Sequence, residues 1–81
     1  MVSNEDLEHV FSQHPEIQYS NVNGDGYHYE ITIVSDSFEG KRNVARQQWV
    51  YAIINNWIAS GSLHAVTMKT YTSKEWEEQN G

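Results

Sequence analysis

The apolar positions of this chain change their spacing along its length, and each change predicts an element. Leu7, Val10 and Phe11 make a narrow stripe behind Ser3, with Glu5 and Asp6 placed where carboxylates complement the positive end of a helix. The pattern predicts a first helix over residues 3–13. Pro15 closes it, because the residue before a proline is pushed out of the α region. Residues 17–22 read as a strand with Ile17 and Tyr19 on one face. Asn23-Gly24-Asp25-Gly26 is the strongest turn signal, since Asn-Gly and Asp-Gly tolerate the positive φ of tight hairpins. From His28 to Val34 the alternation sends Tyr29, Ile31 and Ile33 one way and His28, Glu30 and Thr32 the other.

The spacing then switches to that of a helix. After Ser35-Asp36-Ser37 and Phe38-Glu39-Gly40, a long run carries Val50, Ile53, Ile54, Trp57 and Ile58 at i, i+3, i+4, i+7 and i+8, one face of a helix. Ser60-Gly61 ends it, with Gly61 suited to the left-handed position after the cap. Residues 64–69 predict a third strand, with His64, Val66 and Met68 on one face and Ala65, Thr67 and Lys69 opposite. Thr72-Ser73-Lys74-Glu75 offers a capping box for a short last helix containing Trp76, and residues 77–81 read as a fraying polar tail. The order is α-β-β-α-β-α, an α+β fold with helices packed on a small sheet. The long link between the second and third strands has room for the crossover that a parallel pair requires.

Composition narrows the function. The 81 residues predict one domain, with a core over about 3–76, and a chain of this size buries only about 60–65% of its unfolded surface. Three tryptophans and five tyrosines add large buried area per residue. There is no cysteine, hence no disulfide, zinc knuckle or thiolate of the chain's own. No run approaches the roughly 20 apolar residues of a membrane span, and the expectation is a cytoplasmic protein with no membrane contact. The net charge of −6 argues against general nucleic-acid binding, which draws on phosphate contacts. Yet three of the five basic residues, Lys41, Arg42 and Arg46, fall in one window at the start of the long helix.

An enzyme is not expected. His9 and His14 are five apart and do not share a helical face, and there is no G-x-S-x-G, P-loop or His-Glu-x-x-His. Asp36 and Glu39 suit capping of the turn better than acid–base work. His28 and His64 each open a strand beside a turn, where an imidazole is exposed and rigidly placed. Such a group either ligates iron, zinc or copper or is an ordinary surface histidine. The basic window either meets phosphates near the helix N-terminus or is a solvated face. No GxxG occurs, so a KH-type RNA clamp lacks its main part.

Phe38-x-Gly40, then Arg42-x-Val44-x-Arg46-x-x-x-Val50-Tyr51, then His64-Ala65-Val66-x-Met68-Lys69-x-Tyr71-Thr72 and Glu75-Trp76, together resemble the BolA family. The match runs from about Gly24 to Trp76, and the short Asn-Gly-Asp-Gly turn is similar to that of small bacterial members. The resemblance implies a mixed three-stranded sheet like a class II KH domain without its GxxG loop. It also implies pairing with a monothiol glutaredoxin around a shared [2Fe–2S] cluster, in iron–sulfur trafficking or iron regulation. The glutaredoxin cysteine and a glutathione thiol would supply sulfur, and the isolated chain would hold no cluster. By the same resemblance His64 is the ligand from this chain. For the second ligand the resemblance points to the loop between the first two strands, where Asp25 and His28 stand and His28 is the better donor for iron. Some members are DNA-binding regulators of stress response and cell shape. That alternative points to Lys41, Arg42, Arg46 and Lys69. Whether the free chain pairs with a second copy stays open.

Overall fold

The computed structural model describes residues 2–80. Helix α1 covers Asn4–Ser12, strands β1 and β2 cover Tyr19–Gly24 and His28–Val34, and a 3-10 turn covers Asp36–Phe38. Helix α2 follows at Asn43–Ala59, then strand β3 at Ala65–Tyr71 and helix α3 at Ser73–Asn80. The sheet runs β1-β2-β3, antiparallel in the first pair and parallel in the second, so α2 is the crossover that the long link allowed.

Local caps set the start of α1 and the end of α2. Ser3 accepts from the Asp6 N–H at 3.0 Å, while the Asp6 carboxylate accepts from the Ser3 N–H, a reciprocal box at the start of α1. The end of α2 is set by Gly61, whose φ of +79° a side chain would strain. Its beginning is bare by contrast, because Arg42 stands at the cap position without a side-chain hydrogen bond.

The core lies between the sheet and the pair α1 and α2. Leu7 and Phe11 come from α1, Val50 and Ile54 from α2, and Tyr29, Ile31 and Ile33 from the inner face of β2, all buried. Phe38 closes one side edge-on to Trp49, with ring centroids 5.3 Å apart. The buried Tyr29 hydroxyl donates to the Val2 carbonyl, which ties the N-terminal segment down.

Several boundaries differ from the sequence pattern, and β1 runs on through Asn23 to Gly24, so the loop narrows to Asp25, Gly26 and Tyr27. Strand β1 starts at Tyr19, two residues late, because the Ile17 N–H is used in the turn after Pro15, donating to His14 at 3.0 Å. Ile17 packs against the core, while Tyr19 belongs to the outer face of the sheet. Strand β3 starts after His64 and continues to Tyr71, whose carbonyl accepts from the Ser35 N–H at 2.9 Å. Residues 77–80 continue α3 rather than fraying, since a box between Thr72 and Glu75 starts the helix and Asn80 donates to the Trp76 carbonyl at 2.9 Å.

Helix α3 stands on the outer face of the sheet. The register puts Tyr19, Val34 and Tyr71 in one row there, and Trp76 stacks on Tyr19 at 5.2 Å and leans on Tyr71 at 5.3 Å. Val34 is buried although it faces away from the main core. No helix among the described residues is long and apolar enough to cross a membrane.

Candidate functional site

The two strand-opening histidines come to one end of the sheet. In the parallel pair His28 is opposite Ala65, the residue after His64. The loop before β2 is organised by Asp25, whose Oδ1 accepts from the backbone N–H groups of Tyr27 and His28, each at 2.9 Å. Those two backbone bonds hold the Asp25 carboxyl below the usual carboxylate range. Gly26 takes the φ of +97° that closes the loop. Asp25 is thereby engaged in shaping the hairpin rather than presented as a donor. The Ala65 N–H reaches the Tyr27 carbonyl at 3.4 Å, joining this loop to the one after α2.

His64 opens from that junction. It is exposed and lines a shallow recess with Gly26, Tyr27, Gly61 and Ser62. His28 is exposed too, but its Nε2 lies 3.2 Å from the Thr67 hydroxyl on the outer face of the sheet. The histidines therefore share one end of the sheet without sharing one pocket. Among the described residues no group of three or more metal-ligating side chains converges anywhere. The donor set fits a shared cluster in one way: the chain offers accessible imidazole nitrogen and, lacking cysteine, needs its sulfur from elsewhere. A neighbour that the sequence pattern did not single out is Tyr27, which is 74% exposed beside His64. Its signal was its place directly after the turn motif and before the strand, where a large aromatic has no local reason to stand.

The basic window divides. Lys41 and Arg42 are exposed ahead of α2. Arg46 is only 8% exposed, and its guanidinium is turned inward. It donates to Glu75 through both terminal nitrogens, at 2.7 and 3.2 Å, and to the carbonyls of Lys41 at 2.9 Å and Thr70 at 3.4 Å. It also lies 5.8 Å from the centre of the Phe38 ring. As a phosphate contact Arg46 is corrected by this geometry, because its donors are occupied within the fold. The Arg46 hydrogen bonds, then that of the Thr72 N–H, hold the Glu75 carboxyl below its ordinary value. Lys69 remains at the surface, 3.4 Å from Glu30.

Asp36 does not cap its own turn, a task taken by Ser35, whose Oγ accepts from the Ser37 N–H at 3.1 Å. Asp36 instead accepts from the Ser73 N–H at 3.0 Å and from Gln18 at 2.9 Å, which depresses its pKa and fixes the start of α3. Glu39 is exposed just after that turn.

A family model described as BolA-like protein matches residues 2–75. The chain belongs to the BolA-like family. It is 35% identical over 75 residues to the acid stress protein IbaG of Escherichia coli, covering 93% of this chain and 89% of that protein. The structure of a BolA homologue from Coxiella burnetii superposes with a TM-score of 0.80 at 31% identity, covering 95% of this chain and 99% of the other. The DNA-binding transcriptional regulator BolA of Vibrio cholerae is 37% identical over 57 residues, 70% of this chain and 53% of that protein. Three helices on a mixed three-stranded sheet are thus the BolA architecture, as the resemblance implied.

Proposed function

We propose that this BolA-like chain is an adaptor that binds a monothiol glutaredoxin and shares a [2Fe–2S] cluster with it, in iron–sulfur trafficking or iron regulation. The observation that carries the reading is His64, an exposed imidazole at the mouth of a recess between two loops, on a chain without cysteine. A nitrogen ligand from this chain would complement thiolates from the glutaredoxin and glutathione, and imidazole ligation raises the reduction potential of such clusters. The chain's own residues position and orient that nitrogen. Asp25 locks the loop that backs the recess, Gly61 sets the direction in which α2 hands over to His64, and the Ala65 bond to Tyr27 joins the two loops. His28, on the outer face, would serve as second ligand through Nδ1 with Nε2 held by Thr67, or through Nε2 by leaving it.

The test is anaerobic reconstitution with a monothiol glutaredoxin and glutathione, read by visible absorbance and circular dichroism. A coloured heterodimer that His64→Ala abolishes is the expected result. Absence of a complex, or one indifferent to His64, sinks the reading.

A second reading, a DNA-binding regulator, is favoured by the likeness to the Vibrio cholerae DNA-binding transcriptional regulator BolA and by exposed Lys41 and Arg42. With Arg46 engaged inside the fold and Lys69 beside Glu30, these two cations supply the free positive charge of the window. Neutralising about two phosphates gives a log–log salt slope of only about −2. Lys41→Ala with Arg42→Ala is expected to flatten that dependence and leave the cluster spectrum unchanged.

A further inference from the structure

The two edges of the sheet are treated differently. On β1 the bond from the Asp25 N–H to the His28 carbonyl sets the alternation, so Val22 and Gly24 turn their backbone groups away from β2. The Val22 N–H donates to the Glu8 carboxylate at 3.3 Å, and the Gly24 carbonyl accepts from the Asn4 amide at 3.4 Å. Two side chains of α1 thus occupy places where a further strand would bond.

Among the described residues no strand lies beyond β3. Its Ala65 N–H reaches the Tyr27 carbonyl and its Tyr71 carbonyl accepts from the Ser35 N–H, so Ala65, Thr67, Lys69 and Tyr71 bond toward β2. Val66, Met68 and Thr70 alternate with them and turn outward. The Thr70 carbonyl is taken by Arg46 at 3.4 Å. The N–H and carbonyl of Val66 and of Met68, and the N–H of Thr70, have no partner among the described residues. These groups recur about every 6.7 Å, the repeat of another extended backbone.

The side chains along this edge say what kind of segment fits. Val66 and Met68 pack against the core yet stay half-buried, whereas their neighbours Tyr29 and Ile31 on β2 are fully covered. Apolar residues on that side of an added strand would complete their burial. On the outer side, Lys69 is the only charged residue in the row Ala65, Thr67, Lys69 and Tyr71, and it is half-exposed. A strand with a carboxylate opposite Lys69 is favoured there, and a basic one is repelled.

We infer that the open edge of β3 docks an extended segment of a partner protein, apolar at alternate residues and carrying a carboxylate opposite Lys69. A second copy of this chain suits the edge poorly, since each copy carries a net charge of −6 and closes its own β1 edge with Glu8 and Asn4. The site uses neither histidine.

Amide hydrogen exchange of the full chain, read by nuclear magnetic resonance with the capped peptide Val-Thr-Val-Glu-Val-Thr-Val, tests this. In the free chain the N–H groups of Val66, Met68 and Thr70 are expected to exchange fast, and those of Thr67, Lys69 and Tyr71 slowly. Peptide at about ten times its Kd is expected to slow the first three about tenfold. Methylating the valine nitrogens of the peptide blocks an antiparallel strand, and methylating the others blocks a parallel one, so one of the two peptides is expected to fail. Lys69→Glu, with its fold checked by circular dichroism, is expected to weaken binding about fivefold and to prefer a peptide with lysine in place of glutamate. Unchanged exchange of the three amides at millimolar peptide overturns the inference, as does equal binding by both methylated peptides. Protection of the same amides in the free chain at rising concentration also overturns it, by giving the edge to a second copy.

Discussion

The two ends of the parallel strand pair are built to different ends. At the C-terminal end of β2 and β3 nearly every polar group is tied. Ser35 donates to Tyr71 and to Glu16, Asp36 holds Gln18 and Ser73, Arg46 holds Glu75, and Trp76 lies over Tyr19 and Tyr71. At the N-terminal end the loops meet through one long backbone bond, His64 and Tyr27 stand exposed at a shallow recess, and His28 stands exposed on the outer face. The stitched end consumes charge to join elements distant in sequence. The open end keeps its imidazoles accessible, as the proposed shared ligand requires. Much of the family signature lies at the stitched end: Phe38, Arg46, Thr72 and Glu75 are joined to one another there.

Breaking the open end has the largest expected effect on function and the least on stability. His64→Ala is expected to abolish the coloured heterodimer while shifting the midpoint of thermal unfolding by less than a few degrees, because the side chain is exposed. A large loss of stability in that variant would contradict the division between the two ends. At the stitched end, Arg46→Ala is expected to cost about 2 kcal/mol in urea unfolding, from its lost charged hydrogen bonds. That figure is held below the buried-pair range because the Glu75 side chain is 43% exposed and screened by water. An unchanged midpoint would show the ion pair to be idle.

Acid sharpens the comparison. The carboxyl groups of Asp36 and Glu75 have folded-state pKa values below their ordinary ones. Their contribution is therefore present above the unfolded carboxylate pKa, about 4, and is lost as pH falls through the lower folded value. Helix α3 is expected to loosen below about pH 4, seen as a change in tryptophan emission that Trp76→Phe removes. Asp25 titrates in the same direction at the open end, where the expected result is broadened His28 and Tyr27 amide resonances. The smallest effect is that of His28→Ala, which removes one contact to Thr67 and is expected to leave stability within about 0.5 kcal/mol. Its cluster spectrum decides whether a second imidazole is used.

The sequence by itself determined the elements and their faces. Capping residues act within three or four positions, as Ser3 with Asp6 and Thr72 with Glu75 do, and apolar period reports which side of Tyr29, Ile31 and Ile33 is buried. Length alone allowed the parallel crossover through α2. Only the tertiary structure decided that Arg46 turns inward to Glu75, 29 residues away. It also decided that residues 77–80 stay helical above the Tyr19 row, and that His28 and His64 open to different sides of one sheet end. A Cβ on Gly24 would fall 2.4 Å from the Tyr29 ring, so that glycine answers to packing as well as to the turn it precedes. Local patterns are set by neighbours along the chain. A charge's partner or an imidazole's direction is set by which distant elements pack together, and no short-range spacing encodes it.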